Sequence, residues 1–89
     1  MNKTRQSEFD RQLDVSGTLC PIPAIRTAQV LKEMSGGQVL EVLATDPLAE
    51  MDLAVLCERA GHEWVMAETT GDQLRVRIRV RSAHRSGAD

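Results

Sequence analysis

The sequence has few aromatic residues and no long apolar run. Of its 89 residues only Phe9 and Trp64 are aromatic, so a core must be built from aliphatic side chains, which the hydrophobic fraction of 42% allows. No apolar stretch approaches the length of a membrane span. A chain of this length makes one domain with a modest core.

Cysteine is also scarce, and its spacing excludes several kinds of site. The two cysteines, Cys20 and Cys57, form no CxxC pair, and His62 and His84 stand alone, so we expect no metal site. The opening residues MNKTRQSEFDRQ lack the apolar segment of a secretory signal. We therefore expect a cytoplasmic protein with free thiols, because that compartment keeps thiols reduced.

Neither sign of charge dominates the chain. Eleven basic and thirteen acidic residues give a formal net charge of −2, which predicts neither a nucleic-acid nor a membrane partner. Alternation within RVRIRVR does place four arginines on one face of a strand: Arg75, Arg77, Arg79 and Arg81. On a solvated sheet face such charge is ordinary; the alternative is a docking surface for an acidic protein or RNA, although no aromatic platform accompanies it.

The hydrophobic pattern predicts six elements in the order β-α-β-α-β-β. Alternating or Val- and Leu-rich segments predict strands at 12–16, 38–44, 64–68 and 73–81. Helical spacing predicts one helix from Pro21 or Pro23 to Met34 and a second from Pro47 to about Ala60, closed by Gly61. The TTGD segment predicts a tight turn that pairs the last two strands antiparallel.

The simplest arrangement of these elements is a two-layer α/β sandwich of the α+β type. It has a four-stranded mixed sheet with both helices on one face. We expect a single domain at 12–81, with a flexible leader at 1–11 and a flexible tail at 82–89. The apolar stripes expected to face the sheet are Ala24, Ala28 and Leu31 in the first helix, and Ala49, Leu53, Leu56 and Ala60 in the second.

The segment LCPIPAIRT places Cys20 directly before a proline at the start of the first predicted helix. A helix N-terminus favours the thiolate, so we expect the pKa of this thiol to be lowered. Pro21 and Pro23 stiffen the backbone that presents the thiol, and by removing two N–H donors they moderate that effect. Arg26 is the nearest cation and is placed to assist a docked or transferred anion. The alternative is a buried cysteine beside two structural prolines.

A set of residues along the chain matches a known family. It begins with LDVSGTLCPIPAIRTAQVLKEM, in which Cys20-Pro21-Ile22-Pro23 is a Cys-Pro-x-Pro motif. The matches continue through Gly37, Thr45-Asp46-Pro47, Asp52-Leu53, Gly61-His62 and Glu68. Taken together, residues 12 to 80 resemble the TusA-like (SirA-like) sulfur carrier proteins.

The resemblance implies the same β-α-β-α-β-β sandwich and a role for Cys20. The motif cysteine of the family accepts sulfane sulfur as a persulfide and transfers it to another protein. The implied partners are a sulfur donor (a cysteine desulfurase or a rhodanese-like protein) and a sulfur-acceptor protein, with no cofactor. Such a protein is a sulfurtransferase-type relay component more than a self-sufficient enzyme, and we expect a monomer. The pathway stays open among tRNA thiolation, molybdenum cofactor maturation, sulfur oxidation and selenium handling.

Three residues are candidates for contact with these partners. Ile22 lies between the prolines, where some family members have an acidic residue, and the helical wheel places it opposite the apolar stripe. Asp46 and Asp52 are the other two, although Asp46 is also a suitable N-cap with Pro47 at the first helical position.

The remaining candidates have alternatives that the sequence leaves open. Cys57 flanks the apolar face of the second helix and is expected to be buried and inert; the alternative is a resolving cysteine close to Cys20. Met34, Met51 and Met66 are expected to fill the core or its edge. The alternative to a carrier is a regulatory or RNA- or protein-binding module that uses the arginine face, with a structural Cys20.

Overall fold

A computed structural model describes residues 8–81, which form a four-stranded sheet with two helices. The strands are β1 (Arg11–Asp14), β2 (Val39–Ala44), β3 (Glu63–Thr70) and β4 (Gln73–Arg79). The helices are α1 (Ile22–Glu33), between β1 and β2, and α2 (Ala49–Ala60), between β2 and β3. This order and the mixed sheet confirm the predicted α+β fold.

The strand order determines which loops lie together. The sheet runs β1-β2-β4-β3, with β1 and β2 parallel and β4 antiparallel to both of its neighbours. Leu13 pairs with Val42 in the parallel ladder, and Leu40 pairs with Ile78 in the adjacent antiparallel one. Because the carboxyl ends of β1 and β2 meet at one edge, the loops that lead into α1 and α2 start side by side.

One face of the two central strands makes the core. Leu40 and Val42 of β2, and Val76 and Ile78 of β4, are fully buried, as the alternation of strand side chains requires. Each such aliphatic side chain contributes roughly 1.5–3 kcal/mol by leaving water. Leu53 of α2 completes this aliphatic cluster, so the layer between sheet and helices needs no aromatic centre.

Both helices bury a stripe that only partly matches the predicted one: Leu31, Ala49 and Leu53 are buried as expected, but the other positions differ. The buried positions recur every four residues: Pro23, Thr27 and Leu31 in α1, and Ala49, Leu53 and Cys57 in α2. Ala24 and Ala28 are only half-buried, Ile25 is exposed, and Ala60 at the end of α2 is exposed. The predicted stripes rested mostly on alanines, whose small side chains bury little area and therefore specify the rotation of a helix poorly.

The second helix begins later than predicted but ends where expected. Asp46 is not its N-cap: α2 starts at Ala49 after a turn through Pro47 and Leu48. The Asp46 carboxylate instead accepts the Leu48 N–H at 3.1 Å, two residues on, which is an Asx turn that competes with helical capping. Gly61 closes the helix in the left-handed region, at φ 79°, as the sequence predicts.

Strand ends also shift relative to the predictions. β3 extends to Thr70, so the hairpin turn is Gly71-Asp72, and β3 contains an irregularity between Trp64 and Met66. β4 ends at Arg79, which leaves Arg81 beyond the strand.

The chain is already ordered before residue 12. The Asp10 N–H donates to the Val39 carbonyl and the Val39 N–H donates to the Asp10 carboxylate, each at 2.8 Å, and Arg11 opens β1. Part of the predicted leader therefore belongs to the sheet edge. Residues 1–7 of that leader and the predicted tail at 82–89 lie outside the described residues.

Candidate functional site

Cys20 lies where the two parallel strands end. The loop from β1 to α1 is tied to the loop from β2 to α2 by two contacts. The Gly17 N–H donates to Thr45 Oγ1 at 2.9 Å, and the Cys20 N–H donates to Asp46 Oδ2 at 2.6 Å. Gly17 has φ 84°, which a residue with a side chain seldom adopts. These bonds fix the backbone of Cys20 relative to the sheet.

Asp46 holds both loops at once. Its side chain is 8% exposed, with one oxygen accepting from Cys20 and the other from the Leu48 N–H. A carboxylate that accepts two backbone N–H groups forms charge-assisted bonds, which are stronger than neutral ones. The sequence suggests Asp46 as a partner contact; the structure places it under the Cys20 loop instead, with little surface left for a partner.

The thiol itself is in the open and contacts α2. Cys20 is exposed and free, as predicted. Its Sγ lies 2.7 Å from Oδ2 of Asp52, in the first turn of α2, with the thiol donating and the carboxylate accepting. Asp52, the second acidic candidate for partner docking, is therefore the direct neighbour of the sulfur atom.

The expected direction of the Cys20 pKa is wrong. The thiol pKa is raised, chiefly by the hydrogen bond to Asp52, then by desolvation, and then by the negative charges of Asp52 and Asp46. The start of α1 offers little to oppose this. Pro21 and Pro23 have no N–H, and the Ile22 N–H is already bonded to the Leu19 carbonyl at 2.9 Å. Cys20 is therefore held as a protonated thiol, and two carboxylates determine its charge state.

The other motif residues take different positions. Pro23 is buried in the α1 stripe, while Pro21 is exposed in the N-cap position. Ile22 is 43% exposed, as the helical wheel predicts. Arg26 is exposed on α1 and forms no ion pair with a residue of the described range.

A set of exposed apolar side chains accompanies the thiol, and sequence reasoning missed most of it. These residues, called the apolar rim below, come from the Cys20 loop, from the first turn of α1, and from the N-cap and first two turns of α2: Leu19, Ile22, Ile25, Leu48, Met51 and Val55. Met51 is 64% exposed, so the prediction that it fills the core or its edge is wrong. The spacing of Leu48, Met51 and Val55 on one face of a helix is the signal that could have identified the α2 part.

Cys57 is a different kind of thiol. It is 2% exposed in the core stripe of α2, which confirms the prediction of a buried cysteine. Burial raises its pKa to about 11, so it stays protonated at neutral pH. Both cysteines are free, so Cys57 is not paired with Cys20.

The arginine face is largely neutralised. Glu41 of β2 is 2% exposed and accepts from Arg77 Nε at 2.9 Å and from Gln12 Nε2 at 2.6 Å. Arg77 also lies 3.2 Å from Glu8 and stacks over the Phe9 ring at 5.7 Å from its centroid. These contacts use the guanidinium within the domain, which disfavours its use as a docking surface.

The remaining arginines add little to that surface. Arg75 lies 3.8 Å from Glu41, and Arg79 lies 3.3 Å from Glu63. Arg81 lies beyond the end of β4, where its N–H donates to His62 Nδ1 at 3.1 Å. The four arginines do not form one uncompensated basic face.

Two other classes of site have no counterpart in the described part of the chain. No group of three or more His, Cys, Asp or Glu side chains there is arranged to hold a metal ion. Neither helix in residues 8–81 has both the length and the apolar character needed to cross a bilayer.

Fold and site together define a small α+β domain that presents one free cysteine at the carboxyl edge of a parallel strand pair. The SirA-like protein from Desulfitobacterium hafniense has this fold, with a TM-score of 0.72 and 27% identity over 81% of this chain and 99% of that one. A family model described as sulfurtransferase TusA matches residues 11–80. The chain belongs to the TusA family.

Two curated relatives give the extent of the similarity. The sulfur carrier protein TusA of Allochromatium vinosum is 37% identical over 73 residues, which cover 82% of this chain and 96% of that protein. The putative sulfur carrier protein YrkI of Bacillus subtilis is 39% identical over 66 residues, which cover 74% of this chain and 88% of that one. The similarity thus spans the folded domain in each case.

Proposed function

We propose that this protein is a sulfur carrier in which Cys20 accepts sulfane sulfur as a persulfide and passes it to an acceptor protein. The observation that carries the proposal is the exposed, free thiol of Cys20 on a loop that Asp46 holds against the sheet. The relatives named as sulfur carrier proteins support the same role. Cys57 has no part in it, because its thiol is buried.

The transfer is a thiol exchange that needs no cofactor. The Cys20 sulfur attacks the outer sulfur of a donor persulfide, a new S–S bond forms on Cys20, and the donor S–S bond breaks. The donor sulfur leaves with the bonding electron pair and takes up the proton that Cys20 loses. In sum, Cys20–SH and R–S–SH give Cys20–S–SH and R–SH, and delivery to the acceptor is the same exchange with the roles reversed.

The apolar rim supports docking of a protein rather than of a small molecule. Its members adjoin the residues that hold the thiol: Leu19 precedes Cys20, and Met51 precedes Asp52. A donor or acceptor that covers the rim removes water from around the sulfur and gains hydrophobic area at the same time. Ile22 is the rim residue within the motif, and we propose it as a docking contact.

The partners are proposed by the chemistry of the exchange. A donor must present a persulfide, as a cysteine desulfurase or a rhodanese-like protein does, and the acceptor must present a reactive thiol or an equivalent nucleophile. We propose that the carrier works as a monomer in the cytoplasm, where an exposed thiol remains reduced.

Intact mass spectrometry tests the proposal. The protein is incubated with a cysteine desulfurase and cysteine, or with polysulfide alone, and then weighed. We expect a gain of one sulfur atom that a reductant removes. Cys57→Ser should retain the gain and Cys20→Ser should lose it; equal labelling of the two variants would contradict the assignment to Cys20.

A further inference from the structure

We infer that Asp52 is a positioning residue for the sulfur transfer: its carboxylate holds the empty Cys20 side chain against α2 and turns that side chain outward once sulfur is loaded. The second half of this inference rests on the proposed function. The first half concerns the empty protein alone, where Sγ and Oδ2 lie 2.7 Å apart.

The empty state has a proton between the two side chains. The thiol donates this hydrogen bond and the carboxylate accepts it, and the bond raises the pKa of the thiol, so the proton stays on sulfur. The charged groups that face the sulfur are Asp52 from α2 and Asp46 from the β2–α2 loop. The cation Arg26 on α1 forms no ion pair with either, so a thiolate would have two like charges nearby and no described cation to oppose them.

Loading removes that proton and reverses the interaction. In Cys20–S–SH the inner sulfur has no hydrogen, so it cannot donate to Asp52. A persulfide is more acidic than a thiol, and once its outer sulfur has lost the proton it is an anion that the carboxylate repels. The backbone of Cys20 is held through its N–H by Asp46, and therefore the side chain must rotate to a different staggered rotamer.

The consequence is that one carboxylate distinguishes the empty carrier from the loaded one. It keeps the empty thiol protonated, which limits reaction with oxidants and stray electrophiles, because the thiolate is the reactive form. It then moves the transferable sulfur away from α2, where an acceptor can reach it.

Asp52→Asn tests the contact in the empty protein, with Glu50→Gln as the matched control. Glu50 is an exposed acidic residue of the same first turn, and no hydrogen bond joins it to the sulfur. The measurement is the rate of Cys20 alkylation against pH, followed on the Cys20 peptide. We expect the midpoint to move to lower pH in Asp52→Asn and to stay at the wild-type value in Glu50→Gln. Equal midpoints in wild type and Asp52→Asn, or an equal shift in Glu50→Gln, would overturn the inference.

The loaded protein gives the second readout, with Asp52→Glu as the charge-conserving variant. A neutral phosphine removes the outer sulfur: phosphorus is oxidised to the phosphine sulfide and Cys20–S–SH returns to Cys20–SH. We expect removal to be severalfold slower in Asp52→Asn, because the new amide can donate a hydrogen bond to the persulfide and hold it against α2. In Asp52→Glu we expect removal near the wild-type rate. Identical rates in all three proteins would refute the outward rotation.

Failure of the inference and failure of the proposed function give different results. If the wild-type protein takes up no sulfur, the carrier function is wrong, while the alkylation profiles still decide whether Asp52 holds the thiol. If the wild type loads but Asp52→Asn matches it in both assays, the carrier stands and the role of Asp52 does not. Circular dichroism of each variant excludes an unfolded protein as the cause.

Discussion

Replacing Asp46 by alanine should both loosen the Cys20 loop and destabilise the domain. The change removes the acceptor of two backbone N–H groups, those of Cys20 and Leu48. Hydrogen bonds to a charged group contribute about 1.5–3 kcal/mol each, and because water can reach the exposed Cys20 loop we take the lower end for both. The expected loss is then about 3 kcal/mol in the free energy of unfolding, a large part of the total for a domain of this size.

The assay is a thermal melt followed by circular dichroism, with sulfur loading measured on the same samples. For a domain of 60–100 residues each kcal/mol lowers Tm by about 4–8 °C, so Asp46→Ala should melt more than about 10 °C below wild type. Asp46→Asn keeps one acceptor oxygen, so its loss in the free energy of unfolding should be roughly half that of Asp46→Ala. Loading of Cys20 from a desulfurase should fall in both, in the same order.

Asp72→Asn is the matched control, since Asp72 is exposed in the β3–β4 turn. It removes the same charge from the same end of the sheet and should leave Tm and loading unchanged. An Asp46→Ala protein with the wild-type Tm and the wild-type rate of sulfur loading would refute the claim that this carboxylate holds the loop.

Three further predictions concern docking and stability. Ile22→Gln should load normally from polysulfide and poorly from a desulfurase, because it removes an exposed apolar contact beside the thiol without adding a charge there; equal loss with both donors, by intact mass, would argue against a docking role. The Cys57 pKa of about 11 lies above the value near 8.5 of an unfolded thiol, so its contribution to stability is complete below about pH 8.5 and declines as pH rises toward 11. Urea unfolding of wild type at increasing pH should show that decline, and Cys57→Ala should flatten it; an identical decline in both would contradict the assignment. Arg77→Met leaves the buried Glu41 without its closest cation and should cost about 3 kcal/mol in urea unfolding, whereas adding Glu41→Leu should recover much of it; a double variant less stable than the single would contradict this.

The order of the elements was predictable because the periodicities are clear and the turn residues separate them. Strict alternation over 73–79 allows only a strand with one buried face, and Gly61 marks the end of α2. The place of Cys20 before a proline at a helix start favoured an exposed thiol but left a buried one open, and the structure decides for exposure. What spacing could not provide was the rotation of α1, because Ala24 and Ala28 lie together on one side of the buried stripe and bury too little area to specify it.

The charge state of the thiol was not predictable from local sequence. It depends on Asp52, which is 32 positions along the chain and reaches the sulfur only because β1 and β2 pair in parallel. The pKa of Cys20 is raised, whereas a helix N-terminus alone predicts that it is lowered. Pro21 and Pro23 leave few N–H groups there, and a carboxylate from a second helix occupies the space in front of the sulfur.

Peptide mapping after sulfur loading tests the central claim most directly. Trypsin separates the two cysteines, with Cys20 in the peptide 12–26 and Cys57 in the peptide 33–59. After incubation with a desulfurase and cysteine, and alkylation to trap the persulfide, we predict one extra sulfur atom on peptide 12–26, lost if a reductant is added before alkylation. Extra sulfur confined to peptide 33–59, or absent from both, would contradict the assignment of Cys20 as the carrier.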